Sequence, residues 1–322
     1  MKILVTGGAG FIGSNLSVTL MQNKPIAADK IVVIDNLSLG NIAFISELLT
    51  SPDFVFYQID LLDFDNLLNI FTEHKFDLVW HLSANSDIRY GAQHTDWDLK
   101  QNTLVTYNLL ECMRRTGTKK IIFASTSAIY GLAKIVPTPE DYGPLFPISL
   151  YGAGKLASEG LITAFCDNFD MQSWIFRFGN IVGKNGTHGA LVDFIKKLCK
   201  NPDELEILGN GKQAKPYLHV TDCIDGMIFG FENANDRVNY FNLACEGATP
   251  VDTLADTVIK HMNLTGVRKH YTGGEIGWVG DVSQVRLDHR KLERLGWSSR
   301  YTSDESVEKG VEELLLQIKQ PK

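Results

Sequence analysis

Ile3-Leu4-Val5-Thr6-Gly7-Gly8-Ala9-Gly10-Phe11-Ile12-Gly13-Ser14 is the stretch that decides the fold. A short apolar run stops at glycines, and a helix-compatible segment follows. Gly8-x-Gly10-x-x-Gly13 has the dinucleotide-binding spacing, and Gly7-x-x-Gly10-x-x-Gly13 is a close variant of it. A tight turn at a strand end wants φ > 0, and a side chain there would keep a pyrophosphate away from the backbone. A helix starting near Gly10 then offers unpaired N–H groups and the positive end of its dipole to phosphates.

The next apolar run, 31–34, ends at Asp35, which lies 22 positions after Gly13. The dinucleotide fingerprint wants an acidic residue about 20 positions on, at the end of the second strand, for a ribose 2′-hydroxyl. A carboxylate there repels a 2′-phosphate, so NAD(H) is expected rather than NADP(H). The bland alternative for Asp35 is a strand-end turn former beside Asn36.

Further runs at 54–59, 78–82, 120–124 and 173–178 alternate with amphipathic segments, among them 98–115 and 151–169. Several runs are continuous and β-branched, as strands buried on both faces should be. The alternation predicts an α/β chain: a Rossmann-type doubly wound parallel sheet, with a smaller mixed α/β C-terminal region for substrate. Ligands of such a sheet sit at the carboxyl ends of its strands. The rhythm loosens after about residue 180. The expected division is an NAD-binding domain over 1–180, joined by about 214–245, and a substrate-binding region over 181–213 and 246–322. Within the latter, 183–189 reads as a loop, 190–200 as a helix and 209–213 as a turn; 222–232 reads as a helix and 240–243 as a strand.

The chain has 322 residues, 44% hydrophobic and 21% charged, with a net charge of −7. That balance is ordinary for a soluble globular protein and argues against nucleic acid or an anionic membrane as the main partner. No apolar run approaches the roughly 18 residues of a membrane span, and no signal peptide is evident. Cys112, Cys166, Cys199, Cys223 and Cys245 are odd in number and form no CxxC pair. Reduced thiols and a cytoplasmic location are expected, with no metal site; His81 and His219 read as structural histidines.

Tyr151-Gly-Ala-Gly-Lys155 places a tyrosine and a lysine on one helix face. A phenol of pKa about 10 is a poor base at neutral pH, and a nearby ammonium lowers that pKa. Such a tyrosine can take a proton from a sugar hydroxyl while hydride leaves the same carbon for nicotinamide. A surface helix pair without chemistry is the plain alternative. Ser125-Thr126-Ser127 follows the run 120–124, at the carboxyl end of an expected buried strand. A hydroxyl there can bond the reacting oxygen and help pass the proton; capping of the next turn is the alternative.

Taken together, these motifs resemble the extended short-chain dehydrogenase/reductase superfamily, and within it the NAD-dependent nucleotide-sugar epimerase/dehydratase family. The resemblance adds Asp60, His81-Leu-Ser-Ala84, Asn102, Arg177-Phe-Gly-Asn180, Pro216-Tyr-Leu-His219 and Leu295-Gly-Trp297, and spans nearly the whole chain. It implies catalytic roles for Thr126, Tyr151 and Lys155. It implies cofactor contacts from Gly7, Gly10, Phe11, Ile12, Gly13, Asp35, Asn36, Asp60, Leu61, Leu82, Ser83, Ala84, Asn102, Tyr151, Lys155 and Phe178. Substrate contacts are implied for Ser86, Thr126, Asn180, His188, Lys215 and Asp281. It also implies a homodimer in which 98–115 and 151–169 pair with their copies; both helices could equally just cover the sheet.

The family's 4,6-dehydratases carry Asp-Glu directly after the catalytic threonine, and its decarboxylase branch needs a glutamate at the second of those positions. Here they hold Ser127 and Ala128. What remains can oxidise a secondary alcohol and reduce the ketone. Epimerisation of a UDP-hexose at C4, of the UDP-glucose/UDP-galactose type, is the expected reaction. A nucleotide-sugar dehydrogenase or 4-ketoreductase and a 2-epimerase use the same residues, and a non-catalytic NAD-binding sensor or scaffold is the remaining rival. Three positions depart from the family pattern. Trp278 stands where an arginine precedes Gly280-Asp281, Lys215 where an arginine precedes the Tyr-x-His turn, and Gly154 where a serine precedes the catalytic lysine. Lysine lacks the bidentate fork that arginine offers a phosphate.

Overall fold

The computed structural model describes residues 1–23, 25–275, 277, 282 and 285–319. In chain order its first strands and helices are β1 (Lys2–Thr6), α1 (Phe11–Gln22), β2 (Lys30–Ile34), β3 (Phe54–Tyr57), α2 (Phe64–His74), β4 (Leu78–His81), α3 (Ile88–Gln93), α4 (Val105–Thr116), β5 (Lys120–Thr126), α5 (Leu150–Phe169) and β6 (Gln172–Phe178). There follow β7 (Asn180–Val182), α6 (Ala190–Lys200), β8 (Glu204–Ile207), β9 (Ala214–Lys215), β10 (Tyr217–His219), α7 (Val220–Asn233) and β11 (Val238–Leu243). The last are β12 (Thr249–Pro250), α8 (Val251–His261), β13 (Arg268–Tyr271), α9 (Arg290–Glu293) and α10 (Ser303–Lys319).

A seven-stranded sheet runs in the order β11-β6-β5-β4-β1-β2-β3. β1 pairs in parallel with both β2 and β4, β2 with β3, and β4 with β5. The chain moves outward from β1 to β3, then returns to β4 on the other side of β1. That reversal is the topological switch point at which an open α/β sheet leaves a crevice. Ile3, Leu4, Val5, Val32 and Val79 are fully buried, and so are Leu109 and Phe71 on the covering helices α4 and α2. Two-sided burial is why the strands read as unbroken apolar runs.

Helix ends follow local chemistry. Asp63 caps α2 by accepting from Asn66 N, and Ser149 caps α5 by accepting from Gly152 N at 3.1 Å. Gly117 ends α4 at φ +83°, a conformation that glycine adopts freely.

The chain forms two compact units. One comprises residues 1–131, 143–177 and 227–241; the other comprises 132–142, 178–226 and 242–322. This differs from the expected boundaries at 132–142, 178–180, 214–226 and 242–245. Of these, 132–142 and 214–226 have backbone partners in the second unit: Thr138 bridges Leu287, β9 pairs with β12, and β10 with β7. The second unit has its own core, including Leu191, Ile195, Leu205, Leu254, Val258 and Val311.

The expected strand 54–59 ends at Tyr57. The expected helix 98–115 opens with a π turn over Leu99–Leu104 before α4 begins. The short strands β7, β8, β9, β10, β12 and β13 escape a reading by periodicity, since two to four residues do not establish a period.

Candidate active site

The glycine turn lies between β1 and α1. Gly7 has φ +69° and its N–H donates to Ile34 O at 2.8 Å; Gly10 N donates to Gly7 O at 3.1 Å. A Cβ on Gly13 would stand 2.1 Å from Gly7 O. The turn and the first helical turn are in backbone contact, so a side chain cannot be accommodated by rotating a neighbour. Gly10 is the N-cap of α1 and supplies no side-chain cap, so Phe11 and Ile12 begin the helix with their N–H groups left to an outside acceptor. A side-chain-free cradle at an uncapped helix N-terminus fits a pyrophosphate. Gly13→Ala is therefore expected to weaken NAD binding by about 10- to 100-fold, the cost of roughly 1–3 kcal/mol of backbone displacement. Titration of the cofactor-stripped protein with NAD checks this.

Asp35 directly follows β2 and is nearly buried, at 8% exposure. Its Oδ2 accepts from Ala9 N at 3.0 Å and its Oδ1 from Leu37 N at 2.8 Å. The carboxylate thus tethers the glycine turn itself, joining the two halves of the motif. Burial pushes its pKa up, against the pull of these backbone donors. Beside it, Asn36 Nδ2 donates to Asp60 Oδ2 at 2.9 Å, and Leu62 N donates to Asp60 Oδ1 at 2.8 Å. Leu61 is buried.

After β4, Leu82 N donates to Thr6 O at 3.2 Å and Ser83 N to Thr6 Oγ1 at 3.4 Å. Ser83, Ala84 and Ser86 are half-buried. The gap between β1 and the segment after β4 is narrow: a Cβ on Gly7 would lie 2.8 Å from Ser83 Cα. Asn102, in the π turn, accepts from Asn85 N at 2.9 Å and donates to Asp98 Oδ1 at 3.0 Å. Asp98 and Asn85, which the sequence reading missed, are both buried. The departure at Gly154 has a physical reason, since a Cβ there would meet Asp98 O at 3.1 Å and the Asn102 side chain at 3.2 Å.

Thr126 ends β5, and its Oγ1 accepts from Ala128 N at 3.1 Å. It lies close enough to the Tyr151 phenol to favour that group's ionised form. Lys155 is 2% exposed; its Nζ donates to Ala124 O at 2.8 Å and lies 4.7 Å from the centre of the Phe123 ring. Three candidate residues from β5 and α5 are thus brought together.

Their electrostatics differ from expectation. The Tyr151 phenol is pushed up to about 12, chiefly by crowding out of water and partly by the Asp98 charge, with Thr126 pulling the other way. The phenol therefore stands above its ordinary value, not below it, while Lys155 Nζ donates to Ala124 O. Burial drops Lys155 to about 7, against the opposing pull of Glu159 and Asp98.

Phe178, Asn180, His188 and Lys215 belong to the second unit. Phe178 is buried there; Asn180 N donates to Pro216 O at 3.3 Å; exposed His188 shares a 3.0 Å bond with Thr187; and Lys215 in β9 pairs with Thr249. Asp281, with Trp278, lies outside the described residues. His81 is fully buried between Thr6 and Thr106 hydroxyls at 2.8 and 2.9 Å, and burial drops its pKa to about 3. Among the described residues, no three His, Cys, Asp or Glu side chains gather as a metal site, and no helix is long and apolar enough to cross a membrane.

Residues 3–244 match the model of the NAD dependent epimerase/dehydratase family. A putative UDP-glucose 4-epimerase of Methanocaldococcus jannaschii is 30% identical over 96% of this chain and 97% of its own length. A crystal structure of a UDP-galactose 4-epimerase superposes with a TM-score of 0.86 at 34% identity, covering 99% of this chain and all of that one. A UDP-glucose 4-epimerase from Thermotoga maritima with UDP-glucose gives a TM-score of 0.88 at 28% identity, over 99% of this chain and 100% of that one.

Proposed function

Because the chain belongs to the NAD-dependent epimerase/dehydratase family of enzymes, we propose that it interconverts the C4 epimers of a UDP-hexose, of the UDP-glucose/UDP-galactose type. The observation that carries this reading is the approach of Thr126 to Tyr151, with Ser127 and Ala128 instead of carboxylates after that threonine. With no acid beside Thr126 to drive loss of water, the set moves one proton at one hydroxyl. NAD, when bound, supplies the acceptor and then the donor of hydride at the same carbon.

Tyr151 takes the C4 hydroxyl proton and later returns one to the 4-keto oxygen, with Thr126 bonding the reacting oxygen between. A phenol held near 12 stays protonated at neutral pH: it has a proton to return but is a weak acid, and the phenolate that would accept one is scarce. Lys155, four residues on along the same helix face, is the cation available to offset this, and a phenolate and an ammonium each favour the other's charged form. Gly7, Gly10 and Gly13 take the pyrophosphate of the cofactor, with Phe11 and Ile12 offering the first helix N–H groups. Asp35, Asn36, Asp60 and Leu61 take its adenosine half, and Leu82, Ser83, Ala84, Asn102 and Phe178 its remainder. Ser86, Asn180, His188, Lys215 and Asp281 are assigned to the nucleotide sugar.

Incubation with UDP-galactose or UDP-glucose tests the reaction. Approach to the same mixture from either side, without added NAD, is the expected outcome. Stoichiometric NADH release would make the chain a net dehydrogenase instead.

A homodimer through α4 and α5 is part of the proposal, supported by exposed Leu99, Leu104, Tyr107, Leu150 and Phe169. Light scattering should give twice 35.9 kDa. A cytoplasmic location is supported by five free cysteines.

A further inference from the structure

Three successive residues at the end of β5 meet one stripe of α5. Ala124 O accepts from Lys155, Ser125 Oγ donates to Glu159 Oε1 at 2.5 Å, and Thr126 lies by Tyr151. Residues 151, 155 and 159 are spaced i, i+4, i+8, so they share a helix face. Glu159 in turn is gripped by Arg177 of β6: Nη2 donates to Oε2 at 2.7 Å and Nε to Oε1 at 3.1 Å. The same guanidinium donates from Nη1 to Tyr130 OH at 2.9 Å and stacks 5.2 Å from that ring. Tyr130 closes the short 3₁₀ turn Ser127–Tyr130 that follows Thr126. The ion pair therefore holds the chain on both sides of Thr126, through Ser125 before it and Tyr130 after it.

Both partners are buried, Glu159 at 6% and Arg177 at 7% exposure. Burying two charges is costly, and an apolar pair of similar volume would pack α5 against the sheet at least as well. What an apolar pair lacks is a fork that bonds two hydroxyls at fixed positions.

We propose that Glu159 and Arg177 are positioning residues that hold Thr126 in register with Tyr151 for proton transfer. This rests on the catalytic reading of Thr126 and Tyr151 given above.

The test compares two double variants, S125A/Y130F and E159L/R177M, in protein labelled with 13C at tyrosine Cζ. The Tyr151 resonance is the one missing from Y151F. In both variants that resonance is expected to move, as Thr126 shifts relative to the phenol, and kcat to fall tenfold or more with KM within twofold. Thermal melting establishes that the variants fold. If E159L/R177M fails to fold, S125A/Y130F, which leaves the ion pair in place, decides alone. A folded variant in which either the resonance or kcat stays at the wild-type value overturns the proposal. If the unaltered chain turns over no UDP-hexose, the functional reading fails by itself, and the resonance alone then decides whether the ion pair positions Tyr151.

Discussion

Tyr151→Phe is expected to lower kcat for UDP-galactose/UDP-glucose interconversion by about 10²- to 10⁴-fold, the usual contribution of a positioned acid/base group. The substitution deletes one hydroxyl and keeps the ring. The hydroxyl's interaction with Thr126 is lost, while Lys155 keeps its bond to Ala124 O. NAD content after purification and KM should therefore change little. Loss confined to kcat is what removal of a group acting only in the transition state produces. Steady-state kinetics with absorbance measurement of bound NAD gives both quantities. Retention of more than a tenth of the wild-type kcat would remove Tyr151 from the proton-transfer role.

Replacing Lys155 with methionine should move activity and stability in opposite directions. Activity should fall by at least about 10²-fold, because the phenolate loses the only cation on its helix face within one turn. Stability should rise. The Lys155 ammonium is 2% exposed and its pKa is dropped from 10.5 to about 7 by burial. Below pH 7 the folded and unfolded chains both carry this charge, and folding bears the full cost of burying it. Between about pH 7 and 10.5 the unfolded chain holds a proton that the folded chain has released, so stability rises with pH across that window. Methionine removes the cost but leaves Ala124 O without its donor, which returns roughly 1–3 kcal/mol. The net gain is of order 2 kcal/mol at pH 7 and below. The advantage of Lys155→Met over the unaltered chain should shrink as pH approaches 10.5. Melting temperatures of both proteins from pH 6 to 10 check the sign. A destabilised variant whose deficit is independent of pH would show that the buried ammonium is not the strained element.

Much of the nucleotide half was legible from residue order. The run 31–34 and its terminal Asp35 form a buried strand and a buried carboxylate, and the glycine spacing corresponds to a turn whose backbone closes on itself. The i, i+4 relation put Tyr151 and Lys155 on one face of α5. Extending it by one more turn would have reached Glu159. Arg177 was visible only as part of a motif, since nothing local links β6 to residues 18 and 47 positions earlier in the chain. Asp98 and Asn85, 13 residues apart, were likewise invisible as a pair. The direction of the Tyr151 shift was misread for a related reason: helical spacing puts a lysine and a tyrosine on one face, but the burial that raises the phenol and lowers the ammonium comes from distant segments that close around both.

Sequence alone determined the strand–helix alternation, the glycine turn after β1 and the tyrosine–lysine pair on one face of α5, because each is written in a period or spacing shorter than about 25 residues. Only the tertiary structure decided the protonation of those residues and the ion pair behind them. Desolvation and hydrogen bonding depend on which distant segments close around a group, and no local pattern carries that information.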